Sequence, residues 1–202
     1  MNIEDIKLYL PKYLSSDAEN QLFSGLKDFP NNIDSQLYTS LLKDEKIVFQ
    51  GDGIKDMLVI NLPKTKIGKA QSIILSNTCD IDMNNRRNFP SQILYSPIFN
   101  LEKYHDGLIQ QKIKDEKQID NHINNIKKQR ITQIFYLPEY SNILPASIVF
   151  LDRVCNIQNK FLDRNQLNTS RLFSLSNYGL YLFIYKLSIH FTRIQENVER
   201  NR

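Results

Sequence analysis

Two short polar stretches hold most of the side chains in this chain that could do chemistry. The first runs Ser76-Asn77-Thr78-Cys79-Asp80-Ile81-Asp82, with Arg86 and Arg87 close behind. The second is Gln50-Gly51-Asp52. A hydroxyl or carboxylate beside a guanidinium suits cleavage of a phosphodiester by 2′-OH attack. Thr78 or Asp80 would stand near the base role, and Arg86 or Arg87 would steady the developing charge. Asp80 and Asp82, joined by Asp52, could hold Mg²⁺, because two carboxylates plus waters suffice. Cys79 would be reactive only beside a base or a helix N-terminus.

Each of these has a plainer counterpart. Aspartates bond their own backbone at strand ends and in turns. Arg86 and Arg87 can bind phosphate or pair with those same acids. If the strand through Ile73 continues, Ser76, Thr78, Asp80 and Asp82 face one way, and Cys79 faces the core with Asn77 and Ile81. A free cysteine there is a small core residue. Gly51 serves backbone geometry, and Asp52 caps the turn. The basic run Lys127-Lys128-Gln129-Arg130 sits where a helix dipole favours cations.

Other chemistries lack their motifs. There is no P-loop, no GxGxxG and no GxSxG, and His105, His122 and His190 are far apart with no metal-ligand spacing. No metal set and no cofactor are therefore assigned. The chain has 202 residues, 41% hydrophobic and 24% charged, which fits one α+β domain over residues 1–202. Its net charge of +4 permits an anionic partner without demanding one. Two cysteines, an acidic N-terminal stretch and no 20-residue apolar run point to the cytoplasm and to no membrane span.

The elements that must position these residues fall into three zones. Residues 1–45 read as helical pieces. Ile3, Ile6, Leu10 and Leu14 share a face broken by Pro11, Ser15 or Ser16 caps a helix bearing Leu22, Phe23 and Leu26, and a short helix turns Leu37, Leu41 and Leu42 inward. Residues 46–172 read mainly as strands, beginning at Lys46. Ile73, Ile74 and Leu75 in succession predict a strand buried on both faces, and Pro97 predicts an edge or a strand end. A long helical insertion spans about residues 101–130, with Ile109, Ile113, Ile119, Ile123 and Ile126 on a narrow stripe. From 174 to 202 runs a C-terminal helix, capped by Ser174 or Ser176. It carries Leu180, Ile184, Leu187, Phe191, Ile194 and Val198 along its apolar stripe. The expected architecture is a small antiparallel curved sheet or an SH3-like barrel with these helices around it.

The pattern Gln50-Gly51-Asp52, then Ser76-x-Thr78-Cys79-Asp80, then Tyr95 to Phe99, resembles a group of uncharacterised bacterial proteins. Their ending, R-x-x-x-L-S followed by a late F-x-R, is matched by Arg171, Leu175, Ser176, Phe191 and Arg193, so the likeness covers about residues 47–195. It marks Gln50, Asp52, Asp82, Arg171 and Arg193 as candidate binding residues. Gly51-Asp52 and the strand Lys69 to Ser76 are also similar to parts of the MazF/PemK toxins, small SH3-like barrels that cleave RNA or bind a protein. That resemblance implies a catalytic arginine at the strand start, where Lys69-Ala70-Gln71 stands instead, leaving the role to Arg86 or Arg87.

The resulting expectation is a cytosolic bacterial or phage-associated binding protein in a toxin–antitoxin or defence locus, acting through a protein or RNA partner. A MazF/PemK-like endoribonuclease is the alternative and a Mg²⁺-dependent nuclease the second alternative. An uncovered stripe on the last helix would make the chain a homodimer.

Overall fold

The computed structural model describes residues 15–112 and 115–192. Eight strands form one antiparallel, curved sheet in the order β1-β8-β2-β3-β4-β6-β5, with β7 also paired to β4. They are β1 (Tyr38–Thr39), β2 (Gly53–Asn61), β3 (Lys66–Ile74), β4 (Gln92–Asn100), β5 (Ile134–Leu137), β6 (Ser147–Phe150), β7 (Cys155–Gln158) and β8 (Arg171–Leu175). β1 and β5 end the path unjoined, so the expected α+β sheet is present as an open curved sheet and not as a closed barrel.

β3 shows why three apolar residues in a row read as a doubly buried strand. Ile73 enters a large core with Leu37, Phe135, Val149 and Phe183, while Ile74 enters a smaller one with Val48, Ile54, Ile81, Ile93 and Tyr95. Successive side chains point to opposite faces, and here both faces are covered. β4 is central: it pairs with β3 through Tyr95 to Pro97, with β7 through Gln92 to Tyr95, and with β6 through Ile98 to Asn100. Pro97 therefore sits mid-strand, correcting the edge expectation. It occupies the last β3 pairing, where the strand passes from one partner to the next.

Helix α1 (Ser16–Lys27) starts where expected, with the Ser15 hydroxyl accepting from Ala18 N at 3.2 Å. After a turn and the single turn α2 (Ile33–Gln36), the chain departs from expectation. Leu37 is fully buried, but Tyr38–Thr39 is a strand and Leu41 is 88% exposed. Residues 46–52 are likewise irregular, and strand β2 begins only at Gly53.

The 101–130 insertion is two helices, α4 (Leu101–Gln111) and α5 (Glu116–Lys127). Lys112 takes a left-handed cap at φ 52°, and Asp115 caps the second helix by accepting from Gln118 N at 2.8 Å. Ile119 and Ile126 of the predicted stripe are buried, Ile109 is exposed, and Ile113 lies outside the described residues. The turn at 151–154 separates β6 from β7.

A single turn, α6 (Leu167–Ser170), precedes β8, and the last helix, α7 (Asn177–Thr192), is capped by the Ser176 hydroxyl, which accepts from Gly179 N at 3.0 Å. It buries Tyr178, Gly179, Leu182, Phe183 and Lys186; of the predicted stripe, Leu180 and Leu187 are partly buried against the larger core, while Ile184 and Phe191 are exposed, Phe191 at 62%. Gly179 decides this phase. A Cβ there would stand 2.1 Å from the carbonyl oxygen of Leu37, so the helix approaches β1 as only glycine allows. Arg193, Ile194 and Val198 lie outside the described residues. No described helix is long and apolar enough to cross a membrane.

Candidate nucleic-acid interface

β3 ends at Ile74, and Asn77 then turns the chain. Its side chain accepts from Cys79 N at 2.9 Å and caps the single helical turn α3 (Thr78–Ile81). That cap replaces the alternation of a continuing strand. Ile81 becomes the buried residue and Cys79 is exposed, correcting the expectation of a buried cysteine. Cys79 and Cys155 are both free thiols.

The two resemblance stretches meet, but mostly inside the protein. Asp52 is fully buried. Its carboxylate accepts from Arg171 Nε at 3.0 Å, Ser174 Oγ at 2.6 Å and Phe49 N at 2.9 Å. Arg171 also donates to the carbonyls of Leu42, Lys43, Glu45 and Ile47, pinning the irregular segment before β2. Burial raises the Asp52 carboxyl above its usual range, and the hydrogen bonds from Ser174 and Phe49 N, with Arg171, pull it back. Ser174, expected as a helix cap, is a strand residue of this network. Asp52 and Arg171 thus hold the fold and present nothing to a ligand. Gly51, at φ +86°, sits in the turn that leads into β2, and its N–H donates to the Ile74 carbonyl at the end of β3 at 2.9 Å.

Gln50 links this buried network to α3. Its backbone N–H donates to Thr78 Oγ1 at 3.0 Å and its side chain to the Leu75 carbonyl at 2.7 Å. Asp52, Asp80 and Asp82 are not gathered into one site: among the described residues no group of three His, Cys, Asp or Glu is placed to hold a metal. The geometry therefore does not assemble the Mg²⁺ triad.

The loop that follows α3 lines one side of an open depression of about 350 Å³, with Asp82, Arg86, Arg87, Phe89, Asn159 and Lys160 among its lining residues. Its floor is rigid. Buried Asn159 donates to the Ile81 carbonyl at 2.9 Å and to Ser91 Oγ at 2.8 Å. Arg164 donates to the carbonyls of Asn159 and Leu162 and to the Asn159 side chain, and its desolvation lowers its pKa while Asp82 acts the other way.

The rim is basic and aromatic. Arg87 Nη2 meets Asp80 Oδ1 at 2.5 Å, the acid–arginine pairing the sequence offered as one alternative. Asp82 Oδ1 accepts from Asn84 N at 2.9 Å, closing its own turn. With both acids engaged, Arg86 and Lys160 are exposed in the lining with Phe89, itself 71% exposed, and Phe161, 66% exposed, follows Lys160 in the chain. The Lys160 ammonium lies 5.4 Å from the Phe161 ring centroid. Cations beside bare aromatic rings can take phosphates and stack bases.

Thus Asp82, Arg86 and Arg87 line one depression, Asp80 is tied to it through Arg87, and Thr78 lies outside the lining, bonded to Gln50. Asp52 and Arg171 lie in the core, and Arg193 is outside the described residues. Sequence reasoning missed Phe89, Phe161, Lys160 and the Asn159–Arg164 floor. The signal for the rings was a lone phenylalanine set among turn-forming and polar residues, in Asn88-Phe89-Pro90 and Lys160-Phe161. No protein-family model matches this chain, and no curated protein matches it.

Proposed function

We propose that this protein is a cytosolic binding module for single-stranded RNA, engaged through the depression between the loop after α3 and the segment after β7. The observation that carries this reading is the exposed ring of Phe89 in a lining shared with Arg86, Arg87 and Lys160, with the exposed ring of Phe161 against the Lys160 ammonium. An exposed phenylalanine set among cations offers a ring on which a base can stack. Bases stack on such rings without demanding a sequence, and the cations track the backbone. Two free thiols suit a reducing cytoplasm, and an RNA target suits a bacterial or phage-associated defence or toxin–antitoxin setting.

One geometric fact favours the ribonuclease alternative as a second reading: the Asp80 carboxylate and Arg87 guanidinium meet at 2.5 Å on the same rim. Such a pair could share base and charge-stabilising roles once substrate displaces the contact.

A single experiment separates these. Fluorescence anisotropy with a labelled, unstructured 12-base RNA should show saturable binding that weakens as salt rises. Phe89→Ala and Phe161→Ala should each cost about tenfold in affinity. Intact RNA on a gel after binding supports the binding module. Cleavage abolished by Asp80→Ala supports the enzyme instead. Equal affinity for the wild type and both phenylalanine variants contradicts the interface.

A further inference from the structure

A second cavity lies over the larger core, between α1 and α7, away from the rim residues just described. Its volume is about 300 Å³. Leu26, Phe29, Tyr181, Leu182 and Ile189 supply apolar walls. The charged side chains lining it are two lysines, Lys27 at an exposed position and Lys186 from the buried face of α7, and no acid lines it.

Lys186 is only 7% exposed. Its ammonium donates to the Gln129 carbonyl at 2.7 Å and to Gln129 Oε1 at 3.0 Å, both neutral acceptors. An ammonium carries three donors, so one is left over, and no carboxylate pairs with it among the described residues. Burying an ammonium without a counter-charge is expensive. Desolvation accordingly pushes Lys186 down to about 7. Hydrophobic walls, one deep cation short of an anion and a second cation at an exposed position make a site complementary to an amphiphile with an anionic head.

We propose that this cavity binds a free medium-chain aliphatic carboxylate, its head group on Lys186 and its chain against the α1–α7 walls. At about 30 Å³ per heavy atom, the share a water takes in the liquid, the cavity holds roughly ten heavy atoms, the size of octanoate. A carboxylate there supplies the missing counter-charge and takes the third ammonium hydrogen. The chain replaces water along apolar surface. This site stands independently of RNA binding.

Calorimetric titration of the full chain with sodium octanoate tests it, with 1-octanol and octylamine as probes of the same length and different charge. The expected result is one saturable octanoate site, at least about tenfold tighter than 1-octanol, because only the carboxylate supplies a counter-charge to the ammonium. Octylamine should bind more weakly than either. Lys186→Met should erase the preference for octanoate over 1-octanol, and Lys186→Arg should keep it; circular dichroism of both variants confirms that each is folded. Ile189→Trp, which fills the cavity without touching a charge, should weaken both octanoate and octanol. Non-saturable octanoate uptake, or equal affinity for octanoate and octanol in the wild type, overturns the proposal. So does an octanoate preference that survives Lys186→Met.

Discussion

At the scale of single residues, polar groups in this protein divide by burial, and the division sets their roles. Asp52 and Arg171 are consumed by the fold. Removing one leaves the other as an uncompensated buried charge, so Asp52→Asn should destabilise the protein by about 3–5 kcal/mol in urea titrations. Asp80 and Arg87 make the opposite case. Their pair is exposed, with side chains 63% and 35% accessible, so Asp80→Ala should change stability by less than about 1 kcal/mol. Equal losses for the two aspartates would contradict this division. Lys186 adds a pH signature. Its pKa falls from 10.5 in the unfolded chain to about 7 in the fold, so the unfolded state holds the extra proton between those values. Folding stability should therefore be most depressed below pH 7 and recover as pH rises toward 10.5. Lys27, Tyr181 and Tyr185 are the other titratable groups lining that cavity. Lys186→Met should flatten the rise between pH 7 and pH 10, measured as urea midpoint against pH.

Elements explain why some of this was legible in the sequence and some was not. The cap at Ser15, the doubly buried run Ile73–Leu75 and the turn role of Asp52 follow from neighbours within a few residues, where propensity and spacing act. The Asp52–Arg171 contact spans 119 residues, and no local pattern encodes it; only the likeness in motif pattern placed both residues in view. Periodicity found the last helix but only the margin of its buried face, Leu180 and Leu187. Residues 178–191 are apolar on nearly every side, so several phases fit a 3.6-residue period equally well. What selects the phase is tertiary: Gly179 admits the Leu37 backbone, and Lys186 finds Gln129. Gly179→Ala should accordingly cost about 1–3 kcal/mol through overpacking, more than an ordinary helical Gly→Ala change, which stabilises. A gain in melting temperature for this variant would show that the helix sits differently. Asn77 is the converse case, where one capping side chain overrode strand alternation and turned Cys79 outward.

Across the whole molecule, the curved sheet carries two cores on its faces, and each core supports one candidate site. The basic, aromatic rim stands over the smaller core through Ile81 and Leu162; the lysine cavity stands over the larger one through Leu182. The net charge of +4 is too small to draw RNA everywhere, so affinity must be local to the rim. The other basic stretch, Lys127 to Arg130 at the end of α5, has a sufficient structural role at a helix C-terminus. Ultraviolet cross-linking of the full chain to a single-stranded RNA, followed by mass spectrometry of the attached peptides, compares the two directly. The interface described here predicts cross-links on the peptides that contain Phe89 and Phe161; cross-links confined to the Lys127–Arg130 peptide, or scattered without preference, would contradict it.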